Sequence, residues 1–80
     1  MKKRRDQLPI GDVLRQARLK AGMTQEALAF AAEVDRSYIS YLEGNLKSPT
    51  VETLAKLCGT LGILTSELIR RAEKAAIAGK

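Results

Sequence analysis

The stretch Thr24-Gln25-Glu26-Ala27-Leu28-Ala29-Phe30-Ala31-Ala32-Glu33-Val34-Asp35-Arg36-Ser37-Tyr38-Ile39-Ser40-Tyr41-Leu42-Glu43 decides the fold. Leu28, Ala29 and Ala32 recur at helical spacing in its first half, and Ile39 and Leu42 in its second. Only Glu33, Val34 and Asp35 lie between the two patterns, so two short helices must meet across a tight turn. Thr24 and Asp35 precede them, each with a side-chain oxygen able to accept from first-turn amides. Met23 with Leu28, and Val34 with Ile39, have the spacing of apolar staples across a helix start.

Outward from this pair, the same logic predicts three more helices. The first covers about Ile10 to Ala21, stopped by Gly22, with Val13, Leu14, Ala17 and Leu19 expected inward. The pair itself covers about Gln25 to Ala32 and Arg36 to Glu43, ending at Gly44-Asn45, where both residue types tolerate positive φ. The fourth covers about Val51 to Leu61, with Thr50 as its cap and Val51, Leu54, Ala55, Leu57, Cys58 and Leu61 as its apolar set. The fifth covers about Ser66 to Ala78 behind Thr65, with Leu64 and Ile69 as a third staple and Pro49 with Leu54 a weaker fourth. No four-residue alternation suggests a strand, so the expected class is all-α, a compact five-helix bundle. The expected organisation is a basic flexible arm at 1–9 and a single domain at 10–78.

Composition narrows the function. The 80 residues include 14 Lys+Arg and 9 Asp+Glu, a formal charge of +5. Lys2, Lys3, Arg4 and Arg5 account for four of those bases, which leaves ten against nine acids over residues 6–80. A polyanionic partner is therefore indicated by a tail more than by the domain. The longest apolar run, Ala27 to Ala32, is far below the ~20 residues of a membrane span. The basic start runs into Asp6 and Gln7, unlike a secretory leader. One cysteine and no histidine argue against a disulfide framework and a transition-metal site. Cys58 is expected to be a small core residue, and no convergent polar set points to catalysis. The expected compartment is the cytoplasm, with no cofactor, metal, membrane or small-molecule ligand.

The second helix of the central pair carries the functional chemistry. A helix-turn-helix needs a small residue at the crossing, an apolar residue in the turn and two apolar residues on the second helix's inner face. Ala29, Val34, Ile39 and Leu42 meet those needs. Arg36, Ser37, Ser40 and Tyr41 are then left outside, with Tyr38 at the edge. Arg36 can fork onto O6 and N7 of guanine, while the hydroxyls can bond bases or phosphates.

At these residues the chain resembles the lambda-repressor-like (Cro/C1, XRE-type) helix-turn-helix family. The resemblance runs from Ile10 to Leu68. Its motifs are Leu14-Arg15-Gln16-Ala17-Arg18, Thr24-Gln25-Glu26-Ala27-Leu28-Ala29, Asp35 to Glu43, Pro49-Thr50-Val51-Glu52-Thr53-Leu54 and Leu61-Gly62-Ile63. The Arg-Ser-Tyr-Ile-Ser run at 36–40 also resembles restriction–modification controller proteins. The resemblance implies a helix-turn-helix at about 24–43, with the helix 36–43 in the major groove of double-stranded DNA. It implies base contacts from Arg36, Ser37 and Tyr41, and backbone contacts from Gln25, Tyr38, Ser40 and Lys47. It also implies a structural pair of Arg18 with Glu43, and usually a two-fold dimer.

Three positions differ from the family pattern. Glu33 stands where the turn usually has glycine, so either it takes positive φ at a cost of about 1 kcal/mol or the turn differs in shape. The usual Asn-Gly appears as Gly44-Asn45. Asp35 replaces a Ser or Thr, keeping the cap while losing a hydroxyl for phosphate. The fifth helix, about 66–78, has more apolar residues than a small bundle needs. Leu64, Leu68, Ile69 and Ala72 are therefore expected at a homodimer interface. The expected function is a sequence-specific DNA-binding transcriptional regulator on a palindromic operator. The alternative class is a protein-interaction module, such as the antitoxin of a toxin–antitoxin pair.

Overall fold

The computed structural model describes residues 8–78. Its elements are α1 (Ile10–Lys20), α2 (Gln25–Ala32), α3 (Arg36–Glu43), α4 (Val51–Leu61) and α5 (Thr65–Ala78). The basic residues Lys2 to Arg5 of the expected arm lie outside the described residues. Leu8, also assigned to that arm, packs against the core.

Helix α1 packs on α3 and α5, α2 on α3 and α4, and α4 on α5. Leu14, Leu28, Ile39, Leu42, Leu57 and Leu68 meet at the centre, each fully buried. Burying a side chain of this size contributes about 1.5–3 kcal/mol, so these six dominate the cohesion of a chain with a small core. Cys58 lies among them.

Each of the first four helices ends in the same way. A left-handed residue follows the helix, at Gly22 (φ 74), Glu33 (φ 60), Asn45 (φ 59) and Gly62 (φ 77). The next amide then donates to a carbonyl five residues back: Met23 to Arg18, Val34 to Ala29, Leu46 to Tyr41 and Ile63 to Cys58, at 2.9–3.1 Å. This closure satisfies carbonyls that a helix end leaves open and turns the chain sharply. The following residue is apolar each time, and Met23, Val34 and Ile63 fold back onto the core.

Helix starts are less uniform. Thr24 Oγ1 accepts from the Ala27 amide and Thr50 Oγ1 from the Thr53 amide. Asp35, expected as a side-chain cap, makes no such bond; its backbone carbonyl accepts from Tyr38 and Ile39 instead. Thr65 is not a cap but the first residue of α5, because the Leu64 carbonyl accepts the first helical amides.

Three inward assignments and one staple are corrected. Leu19 is 52% exposed and Val51 is 73% exposed, and Ala55 also faces outward. The core-facing arc of α1 is filled by Val13, Leu14, Ala17 and Arg18, which leaves Leu19 on the far side. In α4, Leu54, Leu57 and Cys58 occupy the corresponding arc. Leu64 is 73% exposed, so it does not staple the start of α5.

The expected interface on α5 also divides. Leu68 and Ala72 are fully buried within the chain and so are unavailable to a partner. They lie four residues apart on the stripe that continues to Ala76 and faces α1 and α4. Leu64 and the half-buried Ile69 are the members of that set at the surface.

Candidate nucleic-acid interface

Helix α3 divides cleanly into two faces. Ile39, Leu42 and Glu43 point inward, whereas Arg36, Ser37, Ser40 and Tyr41 are exposed. Tyr38 is half-buried against the core, which holds its ring while leaving one side open. Four polar side chains on the outer face of one short helix serve no packing need.

Two contacts with α1 hold this helix in place. Arg18 Nε donates to Glu43 Oε2 at 2.6 Å and Arg18 Nη2 to Glu43 Oε1 at 3.0 Å, a two-pronged pair with both residues buried. Arg18 Nη1 donates to the Met23 carbonyl at 2.8 Å, so the guanidinium also ties down the chain before α2. Hydrogen bonding to Glu43 pushes the Arg18 pKa above the ordinary arginine range, against the opposing pull of burial. The planar fork suits this role where a lysine would give a single point of contact.

The second contact was invisible in the sequence. Gly11 is buried where α1 crosses the end of α3, with the Leu42 and Glu43 carbonyls and Asn45 Oδ1 closing over it. The Gly11 amide donates to Asn45 Oδ1 at 3.0 Å, and Asn45 Nδ2 donates to Asp12 Oδ1 at 3.3 Å. Asn45 thus ends α3 with its left-handed backbone and caps α1 with its side chain. Only the first of these roles has a local sequence signal.

Val34, Asp35, Ser37, Tyr38, Tyr41 and Lys47 surround an open cleft of about 340 Å³ beside α3. Lys47 Nζ stands 5.4 Å from the centroid of the Tyr41 ring, within the range of a cation–π attraction. The cleft therefore brings together Ser37, Tyr38, Tyr41 and Lys47. Arg36 and Ser40 lie on α3 outside it. Gln25 is elsewhere again, half-buried at the head of α2, where its Nε2 donates to Glu43 Oε1 at 3.1 Å. The uncapped carboxylate of Asp35 places negative charge on the cleft wall, opposite in sign to Lys47.

This arrangement matches a known family. The helix-turn-helix family matches residues 14–68. The chain belongs to that family, in its Cro/C1 (XRE) branch of DNA-binding transcriptional regulators. The helix-turn-helix is α2 and α3, joined by the left-handed turn at Glu33.

Relatives agree. The chain is 35% identical over 63 residues to the control protein C.BamHI of Bacillus amyloliquefaciens, which covers 78% of each chain. The clp gene regulator ClgR from Corynebacterium glutamicum superposes with a TM-score of 0.86 at 31% identity, over 89% of this chain and 76% of that one. The restriction–modification controller protein C.Esp1396I, solved as a tetramer with its natural 35 base-pair operator, has a TM-score of 0.77 at 30% identity. That match covers 86% of this helix-turn-helix chain and 91% of the controller. No helix among the described residues is long and apolar enough to cross a membrane.

Proposed function

We propose that this helix-turn-helix protein recognises a palindromic operator in double-stranded DNA as a homodimer and regulates transcription by occupancy, without catalysis. The observation that carries this is the exposed outer face of α3, whose far end is locked to α1 through Glu43 and Arg18. Such a helix presents fixed side chains to a groove without disturbing its own packing. Arg36, Ser37 and Tyr41 read base edges; Gln25, Tyr38, Ser40 and Lys47 meet the phosphate backbone. The operator complex of the relative C.Esp1396I supports DNA binding by a chain of this fold. The site of action is the cytoplasm, on the nucleoid.

The two copies meet through a surface that includes Leu64 and Ile69, both accessible on the fold. A symmetric dimer would set two recognition helices roughly 34 Å apart, one turn of DNA between half-sites. Selection of bound sequences from a random duplex library tests the whole reading. An enriched inverted repeat with that spacing, bound less tightly as salt rises, is expected. Failure to enrich any sequence would overturn it.

A further inference from the structure

Gln25 is the first residue of α2 and Glu43 the last of α3, so the bond between them joins the two ends of the helix-turn-helix. Glu43 Oε1 accepts both Gln25 Nε2 at 3.1 Å and Arg18 Nη2 at 3.0 Å. A carboxylate offers acceptors only, so the side of the amide turned toward it must be the NH2 group. One of the two amide hydrogens is thereby taken, and the flipped amide, with its carbonyl against the carboxylate, is disfavoured.

That orientation matters at the head of a helix. Open backbone amides and the helix dipole favour an anion there, and a glutamine helps only if it presents N–H and not oxygen. Held by Glu43, the amide has its remaining hydrogen as its one unpaired donor among the described residues. Arg18 keeps the Glu43 charge paired, so an incoming phosphate does not meet a bare carboxylate.

We infer that Glu43 is a positioning residue for the DNA-backbone contact: through Gln25 it pre-orients an N–H donor for a phosphate and makes the α2 anchor and the α3 reader one unit. This rests on the proposed backbone role of Gln25. It goes further in giving the buried Arg18–Glu43 pair a part in binding as well as in folding.

A double-mutant cycle on operator and random duplexes tests it. In the wild-type chain, Gln25→Ala should weaken both complexes about tenfold, the worth of one charge-assisted hydrogen bond. The same change made with Arg18→Met and Glu43→Leu, where an apolar pair replaces the ionic one, should weaken them less than about twofold. Equal losses in the two backgrounds would overturn the positioning role. A second measurement needs no variant: the Gln25 side-chain amide in the free wild-type protein should show an NMR order parameter near the rigid-backbone value of about 0.85. A value below about 0.6 would overturn the role even if the triple variant did not fold. Absence of DNA binding by the wild-type protein would instead remove the regulator reading itself, whereas additive losses in a protein that binds remove only the role of Glu43.

Discussion

Gly11 and Leu42 meet backbone to backbone: a Cβ added at Gly11 would collide with the Leu42 carbonyl oxygen and lie 2.6 Å from Asn45 Oδ1. The position of the recognition helix relative to α1 therefore depends on the absence of one methyl group. Gly11→Ala should destabilise the chain by about 2–3 kcal/mol, the usual range for forced overpacking, measured by urea denaturation. A change below about 0.5 kcal/mol would mean that the two helices can slide apart without penalty.

Arg36 is exposed and has no bonded partner among the described residues, so its removal should leave folding unchanged. Arg36→Ala should cost about 1–3 kcal/mol on the selected operator and little on random duplex, with relaxed preference at one base pair. Competition binding against both DNAs measures this. Equal loss on the two would place Arg36 on the phosphate backbone.

Leu64 and Leu68 differ by one turn of helix and by almost all of their exposure, 73% against 0%. Leu68→Ala should cost about 3 kcal/mol, because a fully buried leucine leaves a cavity. Leu64→Ser should change protomer stability by less than about 0.5 kcal/mol. It should nevertheless shift the species seen by light scattering from dimer toward monomer. A dimer unaffected by Leu64→Ser would exclude that residue from the interface.

Burial pushes the Cys58 thiol above its ordinary range, with a weaker opposing pull from a hydrogen bond with Thr65. The folded chain therefore holds this proton longer than the unfolded chain. The associated stability is complete well below about pH 8.5, where an unfolded thiol is half ionised, and is lost as pH rises through the folded value. Urea midpoints at rising alkaline pH should drop more steeply in wild type than in Cys58→Ala. Arg18 does not disturb the comparison, since its pKa is raised further and it stays charged across that window.

The helices were legible because their signals are local. Thr24 and Thr50 cap as their positions suggest, and Gly22, Gly62 and Asn45 take the left-handed exits that their side chains tolerate. Glu33 is the instructive member of that set. It adopts φ 60 without being glycine, because Val34 must turn back onto the core and reach the Ala29 carbonyl. Tertiary packing there overrides a preference of about 1 kcal/mol. Leu68 and Ala72 were misplaced because α5 carries apolar residues on more than one side, and periodicity alone does not say which side meets α1. Asn45 with Gly11, and Gln25 with Glu43, were illegible because their partners lie 34 and 18 residues apart. Nothing in either local sequence announces the other.

The trans cap supplied by Asn45 bears on how the chain is made. Helix α1 has only 11 residues and no side-chain cap at Pro9, and isolated helices that short are marginal in water. Its missing acceptor arrives with a residue 34 positions later. On the ribosome, α1 leaves the exit tunnel ahead of α3 and lacks this acceptor until the end of α3 has followed it out. A helix made before α3 is thus completed only by it, and a truncated product ending before Asn45 should be more open to proteases than the full chain.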